Sequence, residues 1–279
     1  MIQIKHNRYR ICIELKNSTL SRRQGFTLIE LLVTVTIVLI LLGLAVIGGQ
    51  KALETAKRTT EVNAARQLTQ AYLLTAEDNN GVLMPAHQFG AVVEFPDGGV
   101  AGGPEASRYP WRLAPYLNWD VEKTMMINDA SKGLDGLEQG STSYRYAVSL
   151  APALGINAYC VGGYYSMTKL FSPNDVTTRL LQSSRDLVLF TSARTSSGAV
   201  DLSGSWFVRP PRMGPMAWKS GDYDPSVPSL QYGNVDFRYN GKAVVSMTDG
   251  SVRLMSIDEL RNMKLWARNA DTADYAIGL

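Results

Sequence analysis

A chain of 279 residues has room for one large domain or two small ones. Its formal charge of +3 is unevenly spread: the first 25 residues hold six Lys/Arg and one acid, and the remaining 22 basic and 24 acidic residues give about −2, which excludes the basic footprint of a nucleic-acid binder. Beyond residue 25 only Cys160 and His87 are left of the two cysteines and two histidines, which excludes an intramolecular disulfide, a His-based triad and a His-ligated zinc site there.

Residues 1–25 show no periodicity and carry Lys5, Arg8, Arg10, Lys16, Arg22 and Arg23, so they read as a basic leader. From Phe26 to Ile47 the chain is apolar except for Glu30 and three threonines. As a helix these 22 residues span roughly 33 Å, enough for a bilayer core of about 30 Å. A carboxylate inside such a segment costs roughly 2.5 kcal/mol or more without a partner, which marks Glu30 as functional. A secretory signal peptide fits less well, because the run is long and ends in Ile47-Gly48-Gly49 without an Ala-x-Ala site. A plain anchor with Glu30 wetted at the interface is the other simple reading. By the positive-inside rule the leader lies in the cytoplasm and the C-terminal bulk outside.

The sequence Arg22-Arg23-Gln24-Gly25-Phe26-Thr27-Leu28-Ile29-Glu30 in front of an apolar run resembles the N-terminal signature of type IV prepilins and type II secretion pseudopilins. The resemblance implies that a prepilin peptidase cuts after Gly25 and methylates the new N-terminus at Phe26. It also implies that Glu30 meets the N-terminal amine of a neighbouring subunit during assembly. A buried carboxylate needs a cation, and a freshly cut amine supplies one.

Behind the apolar run, Leu53, Ala56, Val62, Ala65, Leu68, Tyr72 and Ala76 recur at three or four residues, which predicts that the helix continues amphipathically over 50–80. Gly48-Gly49 is the expected flexible joint within it. Asp78-Asn79-Asn80-Gly81 should end the helix with Gly81 as a left-handed cap, and Pro85 should prevent a restart. Residues 81–118 are dense in Gly and Pro and read as loop. In that stretch Trp111, Tyr116 and Trp119 are expected to anchor the loop on a core, with a sugar-stacking platform as the alternative.

Alternation over Ser143–Leu150 predicts a strand with Tyr144, Tyr146, Val148 and Leu150 on one face. A Gly-rich segment follows, containing Cys160, which reads as a small buried apolar residue. Strands are then expected at Asp186–Thr191 and Ser205–Arg209, the latter stopped by Pro210-Pro211. Residues 212–231 read as a surface loop whose two acids, Asp222 and Asp224, are too few for calcium, so no metal or other cofactor is assigned. Glu94, Asp97 and Glu105 show no spacing that singles out an acid–base couple, and the chain reads as non-enzymatic.

Asp249-Gly250 between alternating runs predicts a hairpin over 242–255. A two-residue turn would oppose Met247 to Val252 and Val245 to Leu254, gathering Ala243, Val245, Met247, Val252 and Leu254 on one apolar face. Ser256-x-x-Glu259 is a capping box that should open a helix over 257–268, with Leu260, Met263 (or Lys264) and Ala267 inward. The segment resembles a C-terminal motif of prepilin-like proteins, a histidine and nine intervening residues before Asp-Gly. Here that spacing leads back from Asp249 to Tyr239, so a role that depends on imidazole is not implied.

The expectation is an α+β protein with four parts. These are a cleaved leader (1–25), a transmembrane and assembly half-helix (26–49), an amphipathic half-helix (50–80), and a pilin-like head (81–279) on an antiparallel sheet with large loop insertions over about 90–230. The resemblances imply a structural subunit of a type II secretion pseudopilus or a type IV pilus-like filament. It would be single-pass in the inner membrane before assembly, with its head periplasmic or extracellular. Its partners would be the peptidase, other subunits and the membrane, and no nucleic acid. The alternative is a membrane-anchored extracytoplasmic glycan-binding module using the Trp/Tyr-rich stretch.

Overall fold

The structure is a computed structural model, and it describes residues 25–163, 175–182, 186–197 and 200–278. The expected leader, residues 1–24, lies outside the described residues. Two compact units divide the chain, Met1–Gln50 and Lys51–Leu279. One helix, α1 (Leu28–Asp78), contributes to both. It runs through Gly48-Gly49, where a joint was expected. The Lys51-Ala52-Leu53-Glu54 turn that follows is rich in helix formers and offsets the glycines' cost of roughly 1 kcal/mol each. Its end matches expectation: Asn80 and Gly81 are left-handed (φ 54° and 76°), and the Gly81 N–H reaches back to the Ala76 carbonyl at 2.7 Å.

Residues 81–118 hold more regular structure than their Gly/Pro content suggested. A short hairpin pairs β1 (Val93–Glu94) with β2 (Val100–Ala101), and α2 (Gly103–Ser107) and α3 (Tyr109–Leu113) follow. Pro104 and Pro110 lie in the first turns of these helices, where a proline lacks nothing the helix needs and favours its start. The helix α4 (Val121–Thr124) comes next.

The predicted strand over 143–150 is instead α5 (Thr142–Leu150). Ser141 caps it by accepting the Tyr144 N–H at 3.2 Å. Tyr144 and Val148, one turn apart, are buried, while Tyr146 is 40% exposed, so the apparent alternation was two helical contacts one turn apart.

The head is organised on a five-stranded sheet in the order β7-β3-β4-β8-β9. Its strands are β3 (Leu154–Asn157), β4 (Val188–Ser192), β7 (Phe207–Val208), β8 (Lys242–Met247) and β9 (Val252–Ser256). A separate antiparallel pair joins β5 (Thr195–Ser197) to β6 (Val200–Leu202). All neighbours in the larger sheet are antiparallel except β3 and β7, giving a mixed α+β head. The Gly-rich segment after 150 therefore contains a fully buried strand, β3, that its glycines concealed. The 90–230 region supplies three of the five strands and is more than loop insertion.

The hairpin forms where Asp249-Gly250 placed it, but with a register one residue away from the expected one. Val244 pairs with Leu254 and Ser246 with Val252, and the Met247 N–H donates to the Ser251 carbonyl at 2.9 Å. The connection is a three-residue loop with Gly250 left-handed (φ 87°). The slip costs nothing because both faces of the sheet are covered. Val244 belongs to the same buried apolar cluster as Ala65, Leu68 and Tyr72 of α1, with Val252 and Leu254 packed against that cluster. Ala243, Val245, Met247 and Met255 pack on the other side with Trp218, Phe237 and Trp266.

The C-terminal helix is shorter than predicted. The Ser256–Glu259 capping box is present, yet α6 spans only Ile257–Leu260. Asn262 then caps a new 3₁₀ turn at Met263–Leu265, and the Trp266 indole N–H donates to the Leu260 carbonyl at 2.7 Å. Leu260, Met263 and Ala267 are buried as expected.

Candidate functional site

Gly25 and Phe26 precede α1 outside any regular element, and Phe26 is 83% exposed. Thr27 caps the helix. Its N–H and its hydroxyl both donate to Glu30 Oε2, at 2.9 and 2.8 Å, and the Glu30 N–H donates back to Thr27 Oγ1 at 3.2 Å. Thr27-Leu28-Ile29-Glu30 is thus a capping box, a pattern visible in the sequence that gives Glu30 partners within its own chain. Behind it the large apolar side chains from Leu28 to Val46 are exposed, and no part of the most apolar stretch is buried in the structure. The helix is long and apolar enough to cross a membrane.

The C-terminal motif residues have structural surroundings. Asp249 Oδ1 accepts the Ser251 N–H at 2.8 Å, and the Gly250 N–H donates to the Met247 carbonyl at 3.0 Å, so both close the hairpin turn. Tyr239, at the position of the motif's histidine, is buried and points its hydroxyl at Glu61 Oε2 of α1, 2.6 Å away. Burial first, and then the adjacent Glu61 carboxylate, raise the Tyr239 pKa above the usual phenol range.

Glu61 was not expected from sequence as a key residue. It is fully buried, and its other oxygen accepts the Ser192 hydroxyl at 2.5 Å. The signal was present: Glu61 stands four residues before Ala65 and seven before Leu68, on the stripe that α1 buries. Arg238 completes the cluster, 3.8 Å from Glu61 and 3.1 Å from Asp236. Burial alone would lower the Arg238 pKa, but Glu61 and Asp236 outweigh it and raise it. Tyr223 donates to Asp236 at 2.9 Å.

The remaining candidates are used in packing. Trp111 is buried, donates its indole N–H to the Arg145 carbonyl at 2.7 Å and meets Phe95 edge-on at 5.1 Å. Trp119 packs on the same Phe95 at 5.6 Å, and the Tyr116 hydroxyl donates to Asp78 at 2.9 Å. Asp97 pairs with Arg145 at 3.2 Å. Cys160 is buried, which pushes its thiol pKa up and away from reactivity. The His87 pKa is lowered by burial and by the nearby Arg112 and Arg108. Asp224 accepts from the Ser226 N–H and hydroxyl at 2.9 and 2.6 Å, closing a turn.

Residues 20–46 match the family described as Prokaryotic N-terminal methylation motif. That segment contains Arg22 to Glu30 and nearly all of the apolar run. The chain matches no curated protein and no solved structure. Over about a tenth of its length, therefore, the chain carries the prepilin-type signal, and through that signal it is similar to type IV pilins and pseudopilins.

Proposed function

We propose that the chain is a structural subunit, cut after Gly25 by a prepilin peptidase, methylated at Phe26 and assembled with other subunits into a thin filament. The observation that carries this reading is the coincidence of the prepilin-type signal at 20–46 with an apolar helix that its own fold leaves uncovered. A segment of that kind needs either lipid or neighbouring helices around it, and a pilin-like subunit uses the two in succession. Before assembly the chain sits single-pass in the inner membrane, its basic N-terminus cytoplasmic and its head outside. The filament is a type II secretion pseudopilus or a type IV pilus-like fibre. Packing in the aromatic stretch gives the glycan-binding alternative no support, since Trp111 is buried and Trp119 lies on Phe95.

Glu30 is the assembly residue in this reading. On joining the filament its carboxylate gains the Phe26 amine of a neighbour in addition to the donors of Thr27. Glu30→Ala is expected to leave processing and head folding intact while reducing sheared filament at least tenfold. Filament yield at the wild-type level in that variant would contradict the assignment.

A further inference from the structure

The buried cluster around Glu61 has a property that the filament reading does not use and does not depend on. The groups that bond to the Glu61 carboxylate are donors: the Ser192 hydroxyl on one oxygen, the Tyr239 hydroxyl on the other, with the Arg238 guanidinium 3.8 Å away. A site with this polarity accepts an ionised carboxylate and penalises a neutral amide. The three groups come from two separate places in the chain, Ser192 at the end of β4, and Arg238 with Tyr239 in the segment leading into β8. Ser192 passes the connection on, because its oxygen also accepts the Val244 N–H of β8 at 2.8 Å. The Lys57 ammonium, one turn earlier on α1, is turned away to Asp129 at 2.8 Å, so it does not compete for Glu61. The Tyr239 hydroxyl has a second acceptor within reach, the Lys57 carbonyl at 3.3 Å, to which Asn128 also donates at 2.9 Å.

We propose that Glu61, Tyr239, Arg238 and Ser192 form a charge-dependent latch that docks the entry of β8 onto α1, and that neutralising Glu61 releases this segment as a unit. Without the Glu61 charge, Arg238 stays buried with Asp236 as its remaining carboxylate, and the Tyr239 hydroxyl keeps only its longer bond to the Lys57 carbonyl of α1. The ties from α1 to β8 through Ser192 and through Tyr239 then weaken together. The apolar cluster that Val244 shares with α1 remains, so the head stays folded while the segment opens more often.

The test is hydrogen–deuterium exchange on the full-length chain in detergent, followed in peptides covering 57–65, 188–194 and 238–247. Wild type is compared with Glu61→Gln, Tyr239→Phe and the double variant. Glu61→Gln is expected to raise exchange in all three peptides by about tenfold, with the double variant no worse than Glu61→Gln alone, because coupled groups are non-additive. Effects that multiply in the double variant, or an increase confined to 57–65, would overturn the latch. Should Glu61→Gln fail to fold, Tyr239→Phe decides by itself: faster exchange in both 57–65 and 238–247 supports the latch, and faster exchange in 238–247 alone refutes it.

Discussion

Thr27 supplies Glu30 with two hydrogen bonds at the first turn of α1, so the carboxylate enters an apolar setting already partly satisfied. That lowers the cost of carrying it into lipid, which for an unpartnered acid is roughly 2.5 kcal/mol or more. Another single-residue constraint lies at Gly162. Its φ is +68°, and a Cβ there would sit on the Met84 carbonyl, the same carbonyl that accepts the Tyr72 hydroxyl at 2.7 Å. Gly162→Ala is therefore expected to destabilise the head by about 1–3 kcal/mol, read as a lower denaturation midpoint at unchanged slope. A midpoint equal to wild type would mean that the backbone relaxes there. The prepilin-type signal was legible in the sequence because it is a short local pattern. Glu61 was not, because its significance comes from Ser192, Arg238 and Tyr239, which are more than 130 residues away in the chain.

Among the elements, α1 and the C-terminal hairpin followed from local periodicity and turn chemistry. Gly250 shows why the hairpin is placed so firmly: at φ 87° it takes a conformation that residues with a side chain rarely adopt. Gly250→Ala should cost about 1 kcal/mol of stability and loosen the amides of Met247 and Ser251, with the rest of β8 still protected; unchanged exchange at both would contradict the turn geometry. The register was not legible, since an apolar/polar pattern fixes it only when one face is wet, and here both faces are covered. The reading of α5 as a strand failed for a related reason. Nine residues are too few for a 3.6-residue period to stand out against an accidental alternation, and the Ser141 cap was the better signal. The Lys57–Asp129 pair ties α1 to the turn at 128–134 and, with Lys132, holds the Asp129 carboxyl below its usual range. A depressed carboxyl stabilises the fold above its unfolded value near 3.9 and loses that contribution as pH falls through the folded one. Asp129→Asn is thus expected to flatten slightly the acid limb of the head's stability curve below about pH 4. An acid limb that is identical in the two proteins would count against the pair. The effect is small because both partners are more than one-third exposed.

At the scale of the whole chain, two units divide the work. The first, up to Gln50, presents an uncovered apolar helix with one carboxylate near its start. The second, Lys51–Leu279, is a head with two buried apolar clusters, one shared by the sheet with the later half of α1 and the other containing Trp218, Phe237 and Trp266. The α+β class was legible from the long helix followed by strand signals. In the middle of the chain the strand signals at 186–191 and 205–209 led to β4 and β7, but β3 was hidden, because it is only four residues long and owes its place to neighbours distant in sequence. The proposed filament role rests on the N-terminal signal, so the central claim is tested at the N-terminus. The most direct measurement is the mass of the N-terminal peptide of the protein purified from membranes of a host that has a prepilin peptidase. A peptide starting at Phe26 with one added methyl group is the predicted result. A peptide retaining Met1, or one starting beyond Gly49, would contradict the proposed processing and with it the filament role.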